Sequence, residues 1–398
     1  MATVSGEGGP SHPWEPHVDD RAAMEHALAL AERARGRVSP NPPVGCAIVS
    51  GGRLVGRGWT QPPPAPHAEA VALQEAGCHA RGATAYATLE PCAHVGRTQP
   101  CAEALIAAGV ARVVYAVADP TAAATGGAAR LGQAGVAVEH DPLAQPAASR
   151  QLAAHLHAAR TGRPLVGLKL AVSLDGRLAA ADGTSQWLTG PAARQRVHQA
   201  RARADAVIVG AGTVAADDPR LTARSVGDAT DWDGPQPLRV VLDARAATPP
   251  SAAVADVAQA PTLVVVGPEA DAERVAALRA AGVEVEVVAA RRAGGADLRA
   301  VLARLWDRQV REVLVEGGAT IAGAVLAAGL ADRLEVHVAA TVLGDAGVAG
   351  VSGLPVATLA DAPRFSLQEA RPVDDDVVLT YTAAPQPAGQ PQDTQGSA

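Results

Sequence analysis

Apolar positions recur at three- and four-residue spacing between Arg21 and Arg35, with Ala23, Ala27, Leu28 and Ala31 on one stripe. The spacing predicts a helix, which Pro40, Pro42 and Pro43 then bring to an end. Two apolar strand-like runs follow, Val44 to Val49 and Arg53 to Gly58, and Gly51-Gly52 between them suits the positive φ angles of a tight hairpin turn. Further on the pattern predicts a helix from His67 to Ala76, a strand from Thr84 to Leu89, a helix from Cys101 to Ala108 and a strand from Arg112 to Ala118. The alternation weakens after Gly126-Gly127 and a last strand near Val136 to Val138. Strands alternating with helices indicate a layered α/β domain, expected to end near Ala159.

Arg160 to Pro164 combines charge with two structure breakers and reads as a short linker. Alternation then resumes with strands over Leu165 to Ser173, Ala206 to Val209, Leu238 to Leu242, Thr262 to Val266, Val283 to Val288 and Glu312 to Val315. Helices are expected over Pro191 to Arg203, Ala270 to Ala281, Ala296 to Asp307 and from Gly317-Gly318 to about Ala328. Residues 1–18 and 385–398 offer almost nothing to bury and are expected to be loose tails. Two α/β domains are left, at 19–160 and 161–384.

Composition narrows the function classes. Lys and Arg number 34 against 41 Asp and Glu, a net charge of −7, the wrong sign for gripping a phosphate polymer. Aromatics are 2% with Phe365 the single phenylalanine, which leaves little for stacking bases. Nucleic acid is therefore not the expected partner. No apolar run approaches the roughly 20 residues of a membrane span, and Met1 to Asp20 carries no secretory pattern. A soluble, cytoplasmic protein is expected. Four cysteines, Cys46, Cys78, Cys92 and Cys101, are too sparse for a disulfide framework.

Two of those cysteines belong to a constellation. His67-Ala68-Glu69 is followed across a strand by Pro91-Cys92, and then by Cys101 at C-x8-C spacing. One His and two thiolates make three zinc ligands, leaving a fourth tetrahedral position open, as in catalytic rather than structural sites. Glu69, two residues from the ligand His67, is placed to take a proton from water on the metal and deliver it to a leaving amine. The H-x-E and P-C pattern is that of zinc base deaminases, here with a wider cysteine spacing. A structural zinc is the alternative reading. Cys46 lies in an apolar strand and Cys78 follows a Gly near a helix end, so both read as inert thiols.

In the second half the residues alone leave alternatives open. Glu316-Gly317-Gly318-Ala319-Thr320, between a strand and a helix, is either a phosphate cradle or an ordinary turn. Val209 to Thr213 is equally open. Arg201, Arg203, Arg220 and Arg224 either clamp a phosphate or lie solvated on the surface. Trp187 is either a core aromatic or a flat wall, and Asp175 and Asp182 read as turn residues.

Longer motifs carry a resemblance. Pro40 to Cys46, Pro66 to Glu69 and Thr88 to Cys101 resemble the deaminase half of the bifunctional riboflavin-biosynthesis deaminase/reductase family. Leu168 to Arg177, Gly183 to Thr189, Asp217 to Arg224 and Val315 to Gly318 resemble its reductase half. The resemblance implies a cytidine-deaminase-like three-layer α/β domain followed by a dihydrofolate-reductase-like α/β domain. It implies zinc-dependent deamination of a phosphoribosylamino-diaminopyrimidinone, then NADPH-dependent reduction of the ribosyl to a ribityl chain, by a homo-oligomer. Asn41, His94 and Arg97 would hold the pyrimidine in the first site. Ala171, Trp187, Thr213, Asp217 and the run Gly318, Ala319, Thr320, Ile321, Ala322, Gly323 and Ala324 would line NADPH in the second. There Ser185, Arg201, Leu221, Arg224 and Glu316 would meet the substrate, and Lys169 would orient or protonate the group that gains hydride. Two positions depart from the family pattern: Thr60 stands where many members have His, and Thr121 where they often have Asn. The rival readings are a nucleoside or nucleic-acid base deaminase, a side-pathway enzyme with an altered pyrimidine, and a zinc-stabilised nucleotide-binding regulator.

Overall fold

A computed structural model of the chain describes residues 17–94, 99–121, 126–224, 232, 234–289 and 295–384. The tails, apart from His17 and Val18, and Arg97 of the expected pyrimidine contacts lie outside the described residues. The chain divides into two compact units, Met1–Thr161 and Gly162–Ala398.

In the first unit α1 (Asp20–Ala34) starts at Asp19, whose carboxylate accepts from the Ala22 N–H at 2.8 Å. Its Ala23, Met24, Ala27, Leu30, Ala31 and Ala34 are buried, the face the spacing indicates. The strands β1 (Gly45–Ser50) and β2 (Arg53–Trp59) form the expected hairpin, with Gly51 and Gly52 at φ 56° and 75°. There follow α2 (Ala68–Ala76), β3 (Thr84–Ala87), α3 (Cys101–Ala108), β4 (Arg112–Tyr115), α4 (Gly127–Gln133), β5 (Ala137–His140), α5 (Gln145–Gln151) and α6 (Ala153–Thr161). The sheet order is β2-β1-β3-β4-β5, with β1 antiparallel to both neighbours and β3, β4 and β5 parallel. Sequence periodicity does not single out α4, α5 and α6. Their burial rests on a few scattered positions, Gly127, Leu131, Ala148, Leu152 and His157, in Ala-rich sequence that lacks a strong apolar stripe.

The second unit runs β6 (Leu165–Ser173), β7 (Arg177–Ala179), α7 (Pro191–Arg203), β8 (Ala206–Gly210), α8 (Ala211–Asp217), β9 (Leu238–Leu242), β10 (Thr262–Val266), α9 (Ala272–Ala280) and β11 (Glu284–Val287). It continues with α10 (Leu298–Asp307), β12 (Glu312–Val315), α11 (Ala319–Ala327), β13 (Arg333–Ala339), β14 (Val348–Ala349), β15 (Phe365–Val373) and β16 (Asp376–Ala383). Nine strands form one sheet in the order β11-β10-β9-β8-β12-β6-β13-β16-β15. Pairing is parallel from β11 through β13, and antiparallel for β16 and β15. Alternation along β8 and β10 divides the core between two faces. Ala206, Ile208, Leu263 and Val265 pack in one apolar cluster, while Val207, Val209, Val264 and Val266 pack in the other. Both faces are covered, as continuous apolar strands of a parallel sheet require.

The strands after α11 lie beyond the last element the sequence pattern predicts. The edge strand β15 is exposed along most of its length and carries Gln368, Glu369, Arg371 and Pro372, so no buried face imposes an apolar alternation on it. In the interior, Arg239 on β9 is wholly buried, and its guanidinium donates to the carbonyls of Arg220, Ala253, Asp256 and Ala260. Among the described residues no helix is long and apolar enough to cross a membrane.

Candidate active sites in the two units

In the first unit the chemistry gathers at the carboxyl ends of the neighbouring parallel strands β3 and β4, where open α/β sheets place their ligands. His67 is the residue immediately before α2, and Glu69 lies in that helix's first turn. Cys92 follows β3, and Cys101 opens α3. The ligand atoms of His67, Cys92 and Cys101 lie within 4.8 Å of one another. His67 Nδ1 is 3.8 Å from Cys92 Sγ and 3.4 Å from Cys101 Sγ. A tetrahedral zinc with Zn–S of about 2.3 Å and Zn–N of about 2.0 Å sets N···S edges of about 3.5 Å. The donor set and its spacing therefore fit zinc, with a fourth position left over.

Electrostatics favours the same use. The Cys101 thiol, the largest influence, and the His67 ring hold the Cys92 thiol down at about 4 against the opposing effect of burial. The Cys101 N–H at the start of α3 also donates to Cys92 Sγ at 3.4 Å. Glu69 is only 4% exposed. Burial, and next the charge of Cys92, push its carboxyl above the ordinary value, which suits a group that must both take and give a proton.

A pocket of about 430 Å³ opens on these residues and is also lined by Asn41 and His94, two of the three expected pyrimidine contacts. Its wall includes three residues that the motifs did not assign. Glu90 is buried and accepts from the N–H of Asp119 at 3.3 Å and of Ala128 at 2.9 Å, tying the Cys92 loop to the loop after β4 and to the start of α4. The fit there is tight, since a Cβ on Gly127 would stand 1.6 Å from the Pro91 carbonyl oxygen. Asp119 pairs with His155 of α6 at 3.3 Å. Glu90 sits within the quoted motif, whereas His155 could be found only by knowing that α6 returns to the site. Thr60 and Thr121, the two departures, both line this pocket. Thr60 Oγ1 accepts from Val44 N at 3.1 Å, and the Thr121 hydroxyl donates to Asp119 at 2.7 Å. Cys46 is buried in β1 and Cys78 is exposed, both apart from the cluster.

In the second unit Lys169 sits on the central strand β6. Glu316 continues β12 one residue beyond the pair Val315↔Leu168, which brings it alongside Lys169. Arg201 of α7 donates from Nε and Nη2 to Glu316 Oε1 and Oε2 at 2.6 and 2.7 Å. Burial alone would raise the Glu316 carboxyl, but Arg201 and then Lys169 hold it below its ordinary value. Burial lowers the Lys169 ammonium, with Glu316 the strongest opposing influence. Ser185 Oγ and Gln186 Nε2 donate to Asp217 at 3.2 and 3.3 Å, fastening the loop that carries Trp187 to the end of α8. Trp187 is 68% exposed with the Arg194 guanidinium 4.6 Å over its ring, which removes the core reading for it. Asp175 and Asp182 do tie turns: Asp175 accepts from Ser173 Oγ and from the N–H groups of Leu343 and Gly344, and Asp182 from Thr184.

The two glycine-bearing turns lie side by side. Gly210 and Gly318 precede α8 and α11 with no side-chain cap, and a Cβ on Gly318 would meet Thr213 Oγ1 at 3.8 Å. Uncapped N–H groups at the start of α11 are what a dinucleotide pyrophosphate needs, so these residues fit such a group. Three of the expected contacts have packed side-chain positions, which leaves them only their backbone to offer a ligand. Leu221 and Ala322 are core side chains at 2% and 0% exposure, and Gly323 is packed against the Ser352 carbonyl. A helix turns every 3.6 residues, so a run of seven cannot present every member to one ligand.

Comparison with known proteins agrees with the two-unit layout. Residues 17–117 match the family model of the cytidine and deoxycytidylate deaminase zinc-binding region, and residues 164–379 match that of the RibD C-terminal domain. The riboflavin biosynthesis protein RibD of Escherichia coli is 42% identical over 378 residues, covering 92% of this chain and all of that protein. The chain belongs to the RibD family. RibD of Mycobacterium tuberculosis is likewise 42% identical, over 92% of this chain and 99% of its own length. The solved structure of Acinetobacter baumannii RibD is 39% identical with a TM-score of 0.80, covering 92% of this chain and 99% of that one. A diaminohydroxyphosphoribosylaminopyrimidine deaminase/5-amino-6-(5-phosphoribosylamino)uracil reductase from Thermotoga maritima superposes with a TM-score of 0.79 at 30% identity, covering 91% and 98% of the two chains. As a RibD-family protein the chain is a bifunctional enzyme of riboflavin biosynthesis, a deaminase unit joined to a reductase unit. A purely regulatory reading does not survive this match.

Proposed function

We propose that the first unit hydrolyses the amino group from a phosphoribosylamino-diaminopyrimidinone, and that the second reduces the ribosyl side chain of the product to a ribityl chain with NADPH. The observation that carries the first step is the three-donor cluster with the buried carboxyl of Glu69 on the same pocket. Zinc held by His67, Cys92 and Cys101 supplies Lewis acidity toward water. Glu69 takes a proton as water adds to the ring carbon and returns it to the departing amine, so that the C–N bond breaks, ammonia leaves and a carbonyl remains. Asn41, His94 and Arg97 hold the pyrimidine.

NADPH, when bound, supplies hydride to the sugar carbon. Gly318, Ala319 and Thr320 offer it backbone N–H groups, while Ala171, Trp187, Thr213, Asp217, Ile321 and Ala324 border it. Ser185, Arg224 and the Arg201–Glu316 pair orient the substrate, and Lys169 presents a proton to the heteroatom released from the sugar carbon. Association into a homo-oligomer is proposed from the family resemblance alone.

The deaminase assignment is tested by Glu69→Gln, measured as ammonia release and as bound zinc by elemental analysis. The variant should keep its zinc and lose at least about a hundredfold in deamination rate. A variant that retains full rate removes Glu69 from the proton transfer.

A further inference from the structure

Lys169 is flanked on its sheet face by two carboxylates, of which only Glu316 is explained so far. On the other side β13 runs parallel to β6 in a register that places Glu335 opposite Lys169 and His337 opposite Ala171. Residues directly opposite in adjacent strands point to one face, as do residues two apart in a strand. Glu335 and His337 therefore share the face of Lys169. His337 is 0% exposed, its Nε2 lies 2.6 Å from Glu335 Oε1, and its buried Nδ1 has no hydrogen-bond partner among the described residues. A wholly buried imidazole with a single partner is an expensive way to fill space. What it accomplishes here is to fix one oxygen of Glu335.

The charges around Lys169 give that carboxylate a task. The charged groups facing Lys169 are Glu316, Arg201 and Glu335. Glu316 has both oxygens engaged by Arg201, so its charge is shared with a second cation. Among the described residues Glu335 makes no arginine hydrogen bond; Arg196 of α7 faces it, but the Arg196 Nε is buried without a partner there. On its far side β16 presents uncharged Thr380 and Val378 opposite Glu335 and His337. Of the other elements packed against β6, α11 carries no charged residue and β7 carries Arg177. His198 of α7 acts on Glu316 rather than on Lys169 itself, and burial and Arg201 hold its own imidazole down.

We propose that Glu335, anchored by His337, is a positioning residue of the reductase that holds the Lys169 ammonium between two carboxylates. The proposal rests on the reading that Lys169 acts as a proton donor in the reduction. Burial lowers the Lys169 ammonium, and Glu335 is among the groups that pull it back up. Neutralising Glu335 therefore makes Lys169 lose its proton at lower pH.

The test follows the reductase kcat/KM against pH, with phosphoribosylamino-uracil and NADPH, for the full-length wild type, Glu335→Gln, Glu335→Asp and Lys169→Met. In Glu335→Gln the alkaline limb should move to lower pH by about one unit, the low end of what an opposite charge nearby shifts, giving about a tenfold loss on that limb and little change on the plateau. Glu335→Asp, which keeps the charge, should leave the limb near its wild-type position. Superimposable profiles for Glu335→Gln and wild type, with Lys169→Met inactive, would overturn the proposal while leaving Lys169 in its role. An equal loss at every pH in both Glu335 variants would reduce Glu335 to a packing residue and overturn it too. Wild-type reduction by Lys169→Met would remove the reading on which the proposal stands.

Discussion

Replacing Arg201 by Met takes from the buried Glu316 carboxylate both of its arginine hydrogen bonds and leaves Lys169 as its remaining cation. The side chains of Arg201 and Glu316 are 12% and 11% exposed and share two charge-assisted hydrogen bonds of 2.6 and 2.7 Å. Breaking a buried pair from one side destabilises by roughly 3–5 kcal/mol, because the remaining charge keeps its burial and loses its hydrogen-bonded partner. At roughly 2–4 °C per kcal/mol for a unit of this size, calorimetry should record a fall of about 6–20 °C in the melting temperature of the reductase unit at neutral pH. The effect should depend on pH in a definite direction. Glu316 has a folded-state pKa held below its unfolded value, so its contribution is complete above the ordinary carboxylate value of about 4.3 and fades as pH falls through the lowered one. The difference between wild type and Arg201→Met should therefore shrink in acid. The double variant Arg201→Met with Glu316→Leu, which removes both members of the pair and leaves Lys169 with Glu335, should recover part of the loss. An Arg201→Met protein melting within about 2 °C of wild type, or a double variant no better than the single one, would refute this account of the pair.

Three further outcomes follow from the geometry. Cys92→Ser should release zinc and abolish ammonia formation while reduction of already deaminated substrate continues, since the residues proposed for reduction all lie in the second unit; parallel ammonia and NADPH assays check this. Gly127→Ala puts a Cβ where only 1.6 Å separates it from the Pro91 carbonyl oxygen, so the Cys92 loop must shift; zinc retained after dialysis and the deamination rate should both fall, with NADPH oxidation unchanged. Trp187→Ala removes an exposed ring and should change stability by no more than about 0.5 kcal/mol, yet raise the KM for NADPH severalfold; an unchanged KM would take Trp187 away from the cofactor.

Much of the His67, Glu69 and Cys101 constellation was legible in the sequence because these residues sit at element boundaries that local rules find. His67 precedes α2, Cys101 opens α3 after Pro100, and Glu69 follows His67 by two residues. The parallel strands β8, β9, β10 and β12 were equally plain, being short apolar runs buried on both faces. What escaped was held by long-range geometry. The Asp119–His155 contact joins residues 36 apart through α6, a helix with no clear apolar stripe. Glu335 lies on a strand beyond the last predicted element, and its meaning depends on pairing with Lys169 across the sheet. The packing of Leu221, Ala322 and Gly323 was hidden for a different reason: proximity in sequence to a binding motif does not say which way a residue faces. In the pocket, the hydroxyl protons of Thr60 and Thr121 are directed to Val44 and Asp119, so both departures from the family pattern are absorbed by local hydrogen bonds.

The central claim is that one chain performs two successive steps, and a single sample can test it. Zinc-loaded protein is given the phosphoribosylamino-diaminopyrimidinone together with NADPH, and ammonia release and NADPH oxidation are followed at once. Both should proceed and reach equal stoichiometry, with ammonia formed first. Ammonia without NADPH consumption would contradict the reductase assignment, and the absence of both from metal-replete protein would contradict the substrate assigned to the pocket that Asn41, Glu69 and His94 line.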